Sequence, residues 1–469
     1  MFFTLLKTGR LRKSIRIWFL MGSLFLSLLQ PATASPAFTI EDEKKLGKEF
    51  YDKLQKANLL LQNESANGYL TLLGERILSH SENVLFDFRF SIIRSSAINA
   101  FATPGGFVYV NQGLINLVES EAELAGVLAH EIAHVNCRHI AQNIERSKKL
   151  GISTLAAILA GAFLGGGGEA TAAVATFSMA AATTLSLKYS REQEEAADRA
   201  GFSYLIASGY NGKAMLDFLK IMRRYEYYSN TVPSYFLTHP GTEERSHYID
   251  GLLQTEASVD KPGQEIGNLR RIQVQLLLET KLPNTNLSHF QKELRERPND
   301  PDILYGLAFT EDKLGMIREA LEHFQKALQF APDDQDILRD MGIAQFKLGQ
   351  FDAAIHHLRR AAILRSNDLQ ANLYLGRALV SLGKTDEALK LYRQMEAIRP
   401  DDPEIYYSLA TVYGMMGQTG NSHYYFGLYF KKTEKRESSL FHLKAAEKSF
   451  PPEHPKRIEI QKEIESLPR

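Results

Sequence analysis

Cysteine is almost missing from this sequence: Cys137 is the only one in 469 residues. No intramolecular disulfide can form, so stability has to come from packing, supplemented at most by a bound metal. Net charge is missing too, with 55 Lys and Arg against 55 Asp and Glu. Five of those bases, Lys7, Arg10, Arg12, Lys13 and Arg16, crowd the first 34 residues, which hold no acid. The remainder is slightly acidic and gives no reason to expect nucleic-acid binding. Long apolar runs are also absent. The stretch Ile17–Leu29 is shorter than the ~20 residues of a membrane span. Basic head, short apolar run and Pro31-Ala-Thr-Ala34 together read as a secretory signal cleaved after Ala34, with an uncleaved anchor as the alternative. No cysteine follows that site, which excludes a lipid anchor there.

What is present centres on His130-Glu131-Ile132-Ala133-His134. Residues four apart share a helical face, so His130 and His134 can offer two imidazoles to one metal. Glu131 lies beside the first of them, where it can act as general base on water. The preceding stretch from Glu121 lacks proline, and Leu124, Val127, Leu128 and Ile132 give it an apolar side. A catalytic zinc site takes three protein ligands and leaves a position open. In Tyr189–Gly201 three glutamates compete for the third place. Glu194 is favoured because it shares a face with Ala197, Gly201 and Leu205. Glu195 instead faces Arg199, four residues on, as a solvated ion pair, and Glu192 is less well supported. Asp198, one turn beyond Glu194, is placed to orient a ligating histidine. His239, in a Pro-Gly turn, is either a surface residue or one that reaches the metal or a transition-state oxygen.

Around this motif, 41–80 reads as helical through Leu46, Phe50, Leu54, Tyr69, Leu72, Leu73 and Ile77. Phe86–Ile93 alternates as a half-buried strand, and Asn99–Val110 reads as two strands about a turn at Pro104-Gly105-Gly106. The last of these strands, Phe107–Val110, is expected as an open edge for an extended peptide, with a plain hairpin as the alternative. Residues 150–187 form two apolar halves divided by Gly165–Gly168, each too short or too polar for a span. They read as a mobile, weakly apolar flap or helical pair beside the site that touches the membrane surface peripherally. A membrane hairpin is the alternative.

From Pro301 the sequence repeats every 34 residues. Leu314-Gly315, Leu348-Gly349, Leu382-Gly383 and Met416-Gly417 are in step, as are Ala308, Gly342, Gly376 and Ala410. So are Ala320, Ala354, Ala388 and Ser422, and the large residues Phe324, Leu358, Tyr392 and Phe426. Small residues let paired helices approach, glycine turns the chain, and the large residue fills the gap. The pattern resembles the tetratricopeptide repeat, departing from it at Glu311 and Gln345, where that family prefers an aromatic. Residues 267–300 suggest a degenerate first repeat. The expected organisation is a signal over 1–34, a domain carrying the metal motif over 35–255 and a linker over 256–266. Repeats over 267–436 and a capping helix and tail over 437–469 follow.

The order His130-Glu-x-x-His134, Glu194-x-x-Ala197-Asp198, His239-Pro240 and Arg245, with Asn99-Ala-Phe-Ala-Thr-Pro-Gly-Gly106, resembles the gluzincin metallopeptidases that include HtpX and the CAAX prenyl proteases. The resemblance implies an α+β zincin-like domain, mainly helical with a small sheet, then an all-α tetratricopeptide solenoid. It implies one Zn2+ per chain on His130, His134 and Glu194, with Glu131 as base and His239 or Arg245 stabilising the oxyanion. Signal, peptidase and repeats in this order further resemble periplasmic proteases acting on unfolded or stalled outer-membrane proteins, with the repeats holding client or assembly machinery. In that group the histidine matching His239 can also approach zinc in a resting state, and part of 150–187 can act as a lid. Disulfides tie the C-terminal region there, whereas this chain has no cysteine for them. The rival expectation is a non-catalytic chaperone whose zinc site is permanently closed by His239.

Overall fold

Helix α1 (Ile40–Lys56) starts on Thr39, whose side chain accepts from Asp42 N while Asp42 accepts from Thr39 N. It presents Leu46, Phe50 and Leu54 inward, and α2 (Glu64–Leu78) presents Tyr69, Leu70, Leu73 and Ile77. Leu72 lies on this helix as expected but faces outward, 59% exposed. The computed structural model describes residues 38–82, 84–145, 151–164, 188–255 and 265–467. The expected signal segment, residues 165–187 and most of the expected linker lie outside them. Contacts divide the chain into two units, Met1–Gly267 and Asn268–Arg469.

In the first unit, β1 (Arg89–Ile93), β2 (Ala100–Thr103) and β3 (Phe107–Asn111) form a sheet ordered β1-β3-β2. Strand β3 runs parallel to β1 and antiparallel to β2. The expected open edge at Phe107–Val110 is therefore wrong: β3 is the central strand, hydrogen-bonded on both sides. The hairpin reading of the glycine turn is correct, with Gly105 and Gly106 at φ +87° and +91°, which side chains disfavour. Strand β1, which precedes the hairpin, pairs parallel with the other edge of β3 and covers it. Phe50 of α1 packs against Phe101 and Tyr109 of the sheet, at centroid distances of 6.1 and 5.5 Å.

Short helix α3 (Gln112–Leu117) leads to the motif helix α4 (Glu121–Asn136). Ser120 and Glu123 cap α4 reciprocally. Its first residue, buried Glu121, accepts hydrogen bonds from Tyr69 and Tyr210 hydroxyls at 3.0 and 2.7 Å. It also accepts from the backbone of Ile266 and Gly267 at 2.7 and 3.1 Å, tying the end of this unit to the motif helix. Helices α5 (His139–Glu145) and α6 (Ile152–Leu164) follow. In α6, Leu155, Ala156, Ile158 and Leu159 are buried in the cluster with Leu46 and Phe50. This part of the expected flap or helical pair is a helix, and it packs in the core. Among the described residues no helix is long and apolar enough to cross a membrane. The unit continues with α7 (Arg191–Ala207), α8 (Lys213–Ser229), α9 (Ser234–Thr238) and α10 (Thr242–Thr255).

The second unit is a run of helix pairs, from Leu269–Thr280 with Pro283–Glu296 to Arg436–Ser449 with Pro455–Glu465. Gly315, Gly349, Gly383 and Gly417 close the first helix of four successive pairs with φ between +72° and +81°. A Cβ on Gly376 would lie 2.3 Å from Tyr392 Cζ, so the small residue is required by the large one it faces. In the last repeat Tyr425 takes the buried place, while Phe426 is half-buried. The departures at Glu311 and Gln345 are compensated twelve residues later. His323 Nδ1 lies 2.7 Å from Glu311 and His357 Nδ1 2.9 Å from Gln345. A polar pair thus replaces an aromatic contact in both repeats.

Candidate metal centre

Helix α4 is buried on every side, with His130, Glu131 and His134 at most 2% exposed. Helix α7, capped by Ser190 and Gln193, crosses it at close range. A Cβ on Gly201 would sit 3.0 Å from the backbone of Ala129 and His130. That approach carries Glu194 to the motif: its Oε1 is 3.3 Å from His134 Nε2, and its Oε2 3.6 Å from His130 Nε2. His130 Nε2 and His134 Nε2 are 3.0 Å apart. Of the rival glutamates, Glu195 pairs with Arg199 at 2.8 Å and Glu192 is exposed.

The turn after α9 brings His239 into the same cluster. Its Nδ1 is 3.0 Å from Glu194 Oε1 and 3.3 Å from His130 Nε2, while Nε2 faces Glu131 Oε1 at 3.5 Å. One ligand atom each from His130, His134, Glu194 and His239 lie within 4.8 Å of one another. Both carboxylate oxygens of Glu131 are buried without a hydrogen-bond partner among the described residues. Such orphaned groups are costly unless something else engages them. Two imidazole nitrogens, a carboxylate and an adjacent unengaged carboxylate fit a zinc ion and its water.

Charges around the cluster are arranged to keep its carboxylate ionised. Burial opposes ionisation of Glu194, but Arg245 and His239 hold its carboxyl well below the usual range. Burial pushes Glu131 upward, with His239 and His130 acting the other way. Burial and neighbouring His130 keep His134 neutral, the form that ligates.

Asp198 lies 2.7 Å from His130 Nδ1 and accepts from Arg245 Nε and Nη2 at 2.7 and 2.8 Å. The third guanidinium nitrogen, Nη1, is 2.7 Å from Glu194 Oε2. Arg245 is thus a buried clamp on two carboxylates, with all three of its nitrogens facing Asp198 or Glu194. Two contributors were missed from sequence. Tyr248 donates its hydroxyl to Asp198, and its place three residues after Arg245 on α10 was the available signal. Tyr189 stacks on His134 at 3.8 Å between centroids, and its hydroxyl is buried.

Residues 64–253 match Peptidase family M48, and 313–362 and 339–403 match tetratricopeptide repeats. The Protease HtpX homolog of Ralstonia nicotianae is 30% identical over 211 residues, 36% of this chain and 68% of that protein. The chain belongs to peptidase family M48. The Escherichia coli Beta-barrel assembly-enhancing protease is 30% identical over 240 residues, 48% of this chain and 49% of that one. A Vibrio cholerae relative is 34% identical over 213 residues, 45% of this chain and 44% of that one. The matched segment therefore spans about half the length of these two relatives. The chain carries an M48 metallopeptidase domain followed by tetratricopeptide repeats.

Proposed function

We propose that the first unit is a zinc-dependent endopeptidase acting in the periplasm on misfolded or stalled outer-membrane proteins. The observation that carries the catalytic reading is the convergence of His130, His134 and Glu194 beside the unengaged carboxylate of Glu131. Zinc on these three ligands would polarise the scissile carbonyl and bring the pKa of water towards ~7. Glu131 takes the proton of the attacking water. As the C–N bond breaks, it returns that proton to the leaving amine. Asp198 keeps His130 oriented by accepting from its Nδ1, and Arg245 fixes Asp198 and Glu194 together.

An extended substrate has a different strand to join than the sequence suggested. Asn111 N donates to Asn99 O, so Asn99, Phe101 and Thr103 turn their backbones to β3 and Ala100 and Ala102 turn theirs outward. Ala102 and Thr103 line a small cleft with His134 and Tyr189. Substrate adding to this outer edge of β2 would lie alongside the metal ligands. The relatives named for β-barrel assembly support the client class. The repeats are the arm that holds client or assembly machinery, as helix-pair arrays do.

The alternative, a closed structural site, is favoured by one observation: His239 already stands within ligand distance of the other three. Degradation of an unfolded outer-membrane barrel protein separates the two. Zinc-loaded wild type should cleave it, while Glu131→Gln should keep its zinc and cleave at least ~100-fold more slowly. Cleavage by neither protein, with zinc bound to both, would favour the closed site. Full activity in Glu131→Gln would remove the general-base assignment.

A further inference from the structure

His139 is a buried histidine outside the ligand cluster, and its ring meets that cluster from behind. Its Nδ1 lies 2.9 Å from His134 Nδ1, and the residue is 4% exposed. The chain reaches this position through a tight turn. Helix α4 is capped at its C-terminus by Cys137, and Arg138 adopts φ +55°, unusual for a residue with a side chain. Two bonds hold that strained turn: Arg138 Nε donates to Glu43 Oε1 at 2.6 Å and Nη2 to Phe38 O at 2.9 Å. Gln193, the residue before Glu194, donates to the His139 carbonyl at 3.4 Å. One short turn is therefore connected to two of the three ligands.

We infer that His139 is a positioning residue that sets the tautomer and ring orientation of His134. The chemistry follows from the two nitrogens of His134. Nε2 faces Glu194 and His130, so it is the nitrogen whose lone pair meets a metal. Nδ1 then carries the proton and donates it to His139 Nδ1, which must be the unprotonated nitrogen of a neutral ring. A ligating histidine needs such an acceptor on its remote nitrogen to be held in place. His130 has a carboxylate in this role, Asp198, and His134 has a neutral imidazole. The two histidine ligands are thereby made unequal, with the less basic one stacked against Tyr189.

The inference rests on the metal reading of the cluster, and the test reads metal binding without reference to catalysis. Zinc affinity of the full chain is measured by competition with a chromophoric chelator for wild type, His139→Phe and His139→Asn. Phenylalanine keeps the ring and removes the acceptor. Asparagine places an acceptor near the Nδ1 position. His139→Phe should bind zinc ~10–100-fold more weakly, and His139→Asn should recover most of that loss. The visible spectrum of the Co2+-substituted protein should shift in His139→Phe and return towards wild type in His139→Asn. Circular dichroism of the zinc-free proteins identifies any variant that does not fold, and His139→Leu then replaces His139→Phe. Equal affinity in wild type and the variant lacking an acceptor overturns the role of His139 alone. Equal weakening in both variants assigns His139 to packing and also overturns it. Wild type without zinc affinity overturns the metal reading and this inference together.

Discussion

Gly201→Ala tests the connection between fold and site at its tightest point. The added Cβ would lie 3.0 Å from three backbone atoms of Ala129 and His130, none of which can rotate away. Carbon contacts normally settle near ~3.5–4.0 Å, so α7 and α4 must part by about half an ångström. Overpacking of this kind costs about 1–3 kcal/mol. Alanine recovers about 1 kcal/mol through its helix propensity, leaving a net loss of about 0–2 kcal/mol in the zinc-free protein. The effect on the site is larger in proportion, because Glu194 sits on the moving helix only 3.3 Å from His134. Zinc affinity should fall about tenfold, the scale of perturbing a ligand's supports. Urea unfolding of the apo protein and chelator competition on the folded protein read the two effects separately. An apo protein stabilised by the alanine, with zinc affinity unchanged, would refute the claim that close backbone packing at Gly201 sets the ligand geometry.

Three further substitutions probe separate parts of the molecule. His239→Ala should raise cleavage of an unfolded client if the residue restrains the site, and a large fall in rate would instead assign it to transition-state stabilisation. Arg245→Met removes the buried fork engaging Asp198 and Glu194, and should destabilise the peptidase unit by about 3–5 kcal/mol; a melting temperature within error of wild type would contradict the clamp. Gly376→Ala would place a Cβ 2.3 Å from the Tyr392 ring, and should lower the stability of the repeat unit by about 1–3 kcal/mol. Zinc affinity should be untouched by it, which calorimetric titration would show.

The clustering of His130, His134 and Glu194 was legible because each lies in a local, periodic pattern. Four-residue spacing puts His130 and His134 on one face, and the small residues Ala197 and Gly201 mark the side of α7 that can approach them. The structure supplies the reason for that mark, the Gly201 contact with the motif helix. The 34-residue columns were legible for the same reason, and a further one was available. Asp300, Asp334, Asp368 and Asp402 stand 34 apart, and each caps the first helix of its pair. Strand order was not legible. Two adjacent strands joined by a glycine turn predict a hairpin, but only tertiary structure shows that β1 arrives parallel on the outer side of β3. The motif order marks Arg245, but sequence does not show that Asp198 and Glu194 surround it. His139 follows a break in the helix at Arg138, so no periodicity connects it to His134. Glu121 gathers its four donors from segments distant in sequence, which leaves no local trace either.

Metal content tests the central claim most directly. The full chain and its Glu194→Gln variant, equally dialysed against a dilute chelator, are analysed for zinc by mass spectrometry of the dissolved protein. One zinc ion per wild-type chain and most of it lost from Glu194→Gln is the predicted result. Wild type devoid of zinc, or a Glu194→Gln variant that holds it as firmly, would contradict the assignment of His130, His134 and Glu194 as the metal site.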